Sequence, residues 1–174
     1  ASDVYKRQAL TEATFVVEQD LGLEITEIMY NPTGGFKYEF IELQNKSNIA
    51  ISLAQMSFDG IDFTFPIDAP LLEPQKYIVL VQDAEAFSER YPDIPFFGVF
   101  SGRLSNKGET IRLLNRQGHS IIKVQYDDQG RWPITPDGGG DSLVPALIGD
   151  DPNQPSFWRA SNNIYGSPGK NDAK

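Results

Sequence analysis

From Leu23 onward the chain alternates short apolar runs with clusters of Asn, Asp, Gly and Pro, a texture that predicts an all-β fold. LEITEIMY (23–30) reads as the first strand, stopped by Asn31-Pro32 and Gly34-Gly35. FKYEFIELQN (36–45) alternates with period two. Phe36, Tyr38 and Phe40 fall on one face, Ile41 and Leu43 on the other, so both faces are expected to be covered. AISL (50–53) and IDFTFP (61–66) follow, the second after the turn signal Asp59-Gly60. Leu71 to Pro74 read as a loop ahead of KYIVLVQ (76–82), the most apolar strand.

DAEAFSERYP (83–92) breaks the β pattern. Asp83 suits a helix start and Pro92 cannot continue one, which leaves about two turns. Phe87 and Tyr91 lie four apart, so both can dock on the sheets. FFGVF (96–100) comes next, and then ETIRLLN (109–115) and SIIKVQY (120–126) form a hairpin around RQGH, with Gly118 supplying positive φ. The 48 residues after Tyr126 hold many Gly and Pro but also Trp132, Phe157 and Trp158, so ordered loops wrapped over a sandwich are expected. The overall expectation is an immunoglobulin-like β-sandwich of about 7–9 strands with one short helix. The domain is drawn over 22–170, with 1–21 a leader or linker and 171–174 a frayed tail. ALTEATFVVEQD (9–20) suits either a short helix or an extended connector.

A net charge of −9 and scattered Lys and Arg make nucleic acid a poor partner. No stretch approaches the ~20 apolar residues of a spanning helix, so no membrane insertion is expected. With no cysteine, disulfides, thiolate metal sites and Cys nucleophiles are excluded. The chain opens on Ala without a charged-then-apolar leader and reads as a mature fragment or a piece of a longer protein.

Residues 140–143 spell Gly-Asp-Ser-Leu, a motif in which some esterases carry a nucleophilic Ser. A nucleophile needs a base in reach and a group that orients the base. The single histidine, His119, sits in the hairpin turn, ahead of Ser142 in the chain and on an all-β pattern. Ser142 is therefore read as structural, next to a turn at Gly138 to Asp141, and no catalytic residue is assigned. Glu39 and Glu42 point to opposite faces of a strand, which is poor geometry for acid–base work. Glu27 sits on a partly apolar strand and is expected to pair with a Lys or Arg.

Asp127, Asp128, Asp137, Asp141, Asp150 and Asp151 crowd into 25 residues with Arg131 as the sole cation among them. Calcium takes such oxygen ligands from irregular backbone, but the regular loop spacing is missing and Asp is common in turns. Calcium is thus a possible cofactor at Asp127, Asp128, Asp137 and Asp141, and no other cofactor is expected.

Taken in order, ITEIMYNP (25–32), EFIELQN (39–45), FTFP (63–66), LEPQKYIVL (72–80), Asp83 with Phe87, LSNKGETIRLLN (104–115) and the RQGHSIIKVQY hairpin form a recognisable series. Trp132-Pro133, DGGGDSL (137–143), WRAS (158–161) and GSPG (166–169) complete it. The sequence resembles the bacterial form of the lamin tail domain family, over residues 23 to 170. Lys123 stands where the family pattern carries Asp. The resemblance implies an immunoglobulin-like sandwich and a non-catalytic module, often attached to secreted or surface-anchored proteins. It makes Glu27, Glu42, Asn45, Gly138, Ser142, Arg159, Gly166 and Pro168 structural motif positions.

Three functions follow as expectations. The first is an extracellular interaction or spacer module of a larger bacterial secreted or cell-surface protein, with a protein, surface or glycan partner. The second is a calcium-dependent carbohydrate- or surface-binding module, with Trp132 or Trp158 stacking on sugar rings. The third is a metal-dependent hydrolase using Asp127 and Asp128. Arg159 is expected to pair with Glu27 or Glu42 beneath the tail, and Trp132 and Trp158 to cover the rim of the sandwich.

Overall fold

The computed structural model describes residues 21–146 and 151–172. The segment 9–20 and the leader before it lie outside the described residues, as do Asp150 and residues 173–174. Six strands form the larger sheet, in the order β11-β10-β1-β2-β6-β7. They are β1 (Leu23–Met29), β2 (Phe40–Asn45), β6 (Tyr77–Val81), β7 (Gly98–Val99), β10 (Leu143–Pro145) and β11 (Trp158–Ala160). Opposite lie β4 (Ser57–Asp59), β8 (Glu109–Leu114) and β9 (Ser120–Tyr126) in a three-stranded sheet, and β3 (Ile51–Ser52) with β5 (Leu71–Leu72) in a pair. The fold is all-β, as the alternation predicts, and several of its strands are only two residues long.

Between the sheets lies the main core, which includes Ile25, Ile28, Tyr30, Ile41, Leu43, Leu80, Ile111, Leu113 and Val124. A second, smaller core lies on the outer face of the six-stranded sheet. There Met29, Phe40, Val79 and Val81 are covered by Phe87 of the helix α1 (Ala84–Arg90). This explains why β2 and β6 are apolar on both faces: α1 needs a platform as well as the sandwich. Asp83 caps α1, its Oδ1 accepting the Ala86 N–H at 2.8 Å. Phe87 is wholly buried and Tyr91 packs edge-on to Phe40 at 5.9 Å, so both docking positions read from the four-residue spacing are used.

Local details differ from the alternation. Phe36–Tyr38 is one turn of 3-10 helix rather than the start of a strand. Gly34 and Gly35 both hold positive φ just before it, which turns the chain before the ladder can begin. IDFTFP (61–66) makes only isolated bridges at Asp62 and Thr64. Leu71 and Leu72, read as loop, pair with β3 instead. Asp172, drawn in a frayed tail, is buried against Arg159.

One irregularity places the candidate site. The β1–β2 register shifts between Ile25 and Glu27, so Thr26 and Glu27 together face Glu42. Strict period two would carry Leu23, Ile25 and then Glu27 into the inter-sheet core. The extra residue reverses the phase. Ile28 and Tyr30 then return to the main core, while Glu27 and Met29 turn outward.

Candidate functional site

Glu27 and Glu42 are register partners on adjacent strands, and each is only 1% exposed. They form the floor of a cleft of about 280 Å³ on the outer face, next to the ground that α1 covers. Its walls come from Tyr77 on β6, Val144 on β10 and Arg159 on β11, and its roof is the chain from Gly166 to Asp172.

Each carboxylate is satisfied by hydroxyls and backbone N–H groups. Ser142 donates its hydroxyl, and Ser167 its N–H at 2.8 Å, to the same oxygen of Glu27. Thr26 donates its hydroxyl to Glu42 at 2.6 Å, and the Gly169 N–H donates to the other oxygen at 2.6 Å. Burial raises the Glu27 pKa to about 8, with the neighbouring Glu42 adding to the rise and the Ser142 and Ser167 bonds opposing it. Burial likewise raises Glu42 to about 7 against the Thr26 and Gly169 bonds. Around neutral pH the pair therefore holds a proton.

The expected partner of these glutamates is not the one found. Arg159 pairs with Asp172 at 2.6 Å, and its other terminal nitrogen donates to the Asp172 carbonyl at 2.7 Å. Among the described residues neither Glu27 nor Glu42 enters an ion pair. The sequence reading missed Asp172 because it lies past the last apolar run, where no periodicity marks it. Gly166 shows how close the roof comes: at φ +79°, a Cβ there would clash with Glu27 Oε1. Pro168 is buried within the same turn.

Ser142 is wholly buried beneath this roof, its hydroxyl given to Glu27, while His119 is exposed in the β8–β9 turn with its N–H bonded to Asn115. The two do not meet. Asn45, wholly buried, donates from Nδ2 to the Ile49 and Leu72 carbonyls at 2.7 and 2.8 Å and accepts from Ser47. It therefore ties a loop to β5. Gly138 turns at φ +82° and donates its N–H to the Asn31 carbonyl.

Burial raises the Tyr30 pKa, and Asp137, Asp128 and Asp127 add to the rise, so these three carboxylates lie around one hydroxyl. Asp127 accepts from the Gln129 N–H, and Asp137 accepts from the Asn31 amide at 2.7 Å. Asp128 buries one oxygen without a hydrogen-bond partner among the described residues, and Asp141 is half-buried. Among the described residues no group of three or more His, Cys, Asp or Glu side chains is placed to hold a metal ion. Trp158 is 3% exposed, with its indole N–H donated to the Pro152 carbonyl at 2.8 Å, so it cannot stack on an external sugar ring. Trp132 is half-buried against the main core.

The sequence model of the Lamin Tail Domain family matches residues 18–128. The match includes Glu27 and Glu42 and stops short of Ser142, Arg159 and the roof. Over 67 residues the chain is 37% identical to a protein of Pseudomonas fluorescens (strain SBW25) provisionally named 4-hydroxy-4-methyl-2-oxoglutarate aldolase. A protein of the same name in Azotobacter vinelandii is 34% identical over 67 residues. Each alignment covers 36% of this chain and 41% of the relative, so the chain spans well under half of the proteins it matches. No solved structure matches.

Proposed function

Because the chain belongs to the Lamin Tail Domain family, whose domain is non-catalytic, we propose that it serves as an interaction or spacer module of a larger bacterial secreted or cell-surface protein. One observation carries the reading. Ser142, the residue whose motif resembles a nucleophile, spends its hydroxyl on a buried structural carboxylate with no histidine beside it. A sandwich with every motif residue committed to packing, capping or roofing supports a scaffold that presents its loops and edges to a partner. Among the described residues no helix is long and apolar enough to cross a membrane.

The short similarity to aldolase-named proteins supplies a direct test. The purified chain is assayed on 4-hydroxy-4-methyl-2-oxoglutarate and on ester, glycoside and phosphodiester substrates. No turnover is expected, and turnover abolished by a point substitution in the chain would overturn the reading. The calcium-dependent glycan module has less behind it, since Trp158 is core and, among the described residues, no group of three or more acidic side chains is placed to hold a metal ion. Thermal melts in EDTA and in excess calcium separate the two. A calcium-dependent rise in midpoint of about 2–4 °C would favour the glycan module, and an unchanged midpoint the interaction module.

A further inference from the structure

The roof of the outer-face cleft has an unusual attachment. Ser167 and Gly169 hang from Glu27 and Glu42 respectively, so one short loop is held by two like-signed groups that face each other across adjacent strands. We propose that the segment Gly166–Gly169 is a proton-gated cover, closed over Glu27 and Glu42 while the pair retains a proton and bowed outward once the pair has lost it.

The closed state is stable only with a proton present. Two ionised carboxylates directly opposite each other on neighbouring strands repel, and burial removes the water that would screen them. Strands β1, β2, β6 and β10 cannot yield that water without losing ladder bonds. The roof can, because it contributes one N–H to each carboxylate and carries glycines of positive φ at both ends, Gly166 and Gly169. When the pair ionises, the proton passes to solvent and the roof lifts. Both carboxylates then trade two backbone donors for hydration.

Both ends of the cover stay tied. The Tyr91 hydroxyl donates to the Tyr165 carbonyl on one side, and Arg159 holds Asp172 on the other. The middle bows while the tail remains attached. Charged groups around the pair set the threshold. Asp172 opposes ionisation of Glu27. Arg159 and Lys170 line the cleft, with Arg159 already engaged by Asp172. Lys46 at the cleft edge is engaged by Glu24. Tyr77 and Tyr91, whose own pKa values burial pushes up, stay neutral.

Backbone amide exchange, resolved by NMR from mildly acidic to mildly alkaline pH, tests the cover in the intact chain. The Ser167 and Gly169 amides are expected to lose protection by about tenfold or more beyond the base-catalysed trend as pH rises through about 7 to 8, while Leu43 in β2 keeps its protection. In Glu27→Gln, and independently in Glu42→Gln, the two roof amides should stay protected across the range. Roof amides that only follow the base-catalysed trend in the unmodified chain would overturn the proposal. So would an equal loss in the Gln variants, or a loss shared by Leu43, which would mean general unfolding.

Discussion

Glu27 sits in surroundings far from what its chemistry prefers: a carboxylic acid 1% exposed, beside a second one, with no ion-pair partner among the described residues. It is tolerated because a hydroxyl and a backbone N–H satisfy it and because the pair need not carry two charges at neutral pH. The cation that a sequence reader gives to it, Arg159, serves Asp172 instead. Arg159→Met is therefore expected to destabilise the chain by about 2–3 kcal/mol, since it strands a nearly buried Asp172 carboxylate. Urea unfolding of the variant measures it, and Arg159→Met with Asp172→Asn should recover part of the loss. Gly166→Ala should cost more than the ~1 kcal/mol of backbone strain alone, because its Cβ would clash with the Glu27 carboxylate. The measurable sign is a lowered melting midpoint together with loss of Ser167 amide protection.

At the scale of elements, the local signals that succeed are those with a short-range mechanism. Asp83 followed by AEAF specifies the helix start through one side-chain bond to Ala86, and the structure shows that bond. Asp83→Ala should cost about 1 kcal/mol and fray the first turn of α1, seen as faster exchange there with β6 unchanged. The β8–β9 hairpin is equally local, with Gly118 at φ +82° in the turn. The failures lie where partners are distant in sequence. Phe36 and Tyr38 alternate with Phe40 in a strand-like way, yet the two glycines before them turn the chain into 3-10 geometry. The bulge at Thr26 has no sequence mark at all. It exists because Glu27 cannot face the inter-sheet core while Ile28 can, and that choice depends on β2 lying alongside.

For the whole molecule, the pH dependence of stability follows from three buried acids. Glu27 rises to about 8, and Glu39 and Glu42 to about 7, with burial the leading cause in each case. Each binds its proton more tightly folded than unfolded, so between the ordinary carboxylate range and these raised values the folded state holds more protons. Stability from these groups is full below about pH 4.5 and falls as pH rises through about 7 to 8. Melting midpoints should thus decline from mildly acidic toward mildly alkaline pH, and Glu27→Gln should flatten that decline. A midpoint that climbs steadily over the same range would contradict the assignment. The chain's −9 charge adds self-repulsion of the same sign, so the comparison with Glu27→Gln isolates the buried pair.

The all-β class, the two-faced apolar character of β2 and β6, the short capped helix, the hairpin and the family are legible in the sequence, because each rests on period, turn chemistry or a motif series in order. Which way Glu27 points, which groups satisfy it and what Arg159 holds emerge only in the closed fold. Those outcomes depend on a one-residue bulge and on a tail that returns across 140 positions of sequence to place Ser167 against Glu27. Side-chain period fixes which residues seek burial. The identity of the group opposite each buried charge is fixed only when the strands and the tail have closed together.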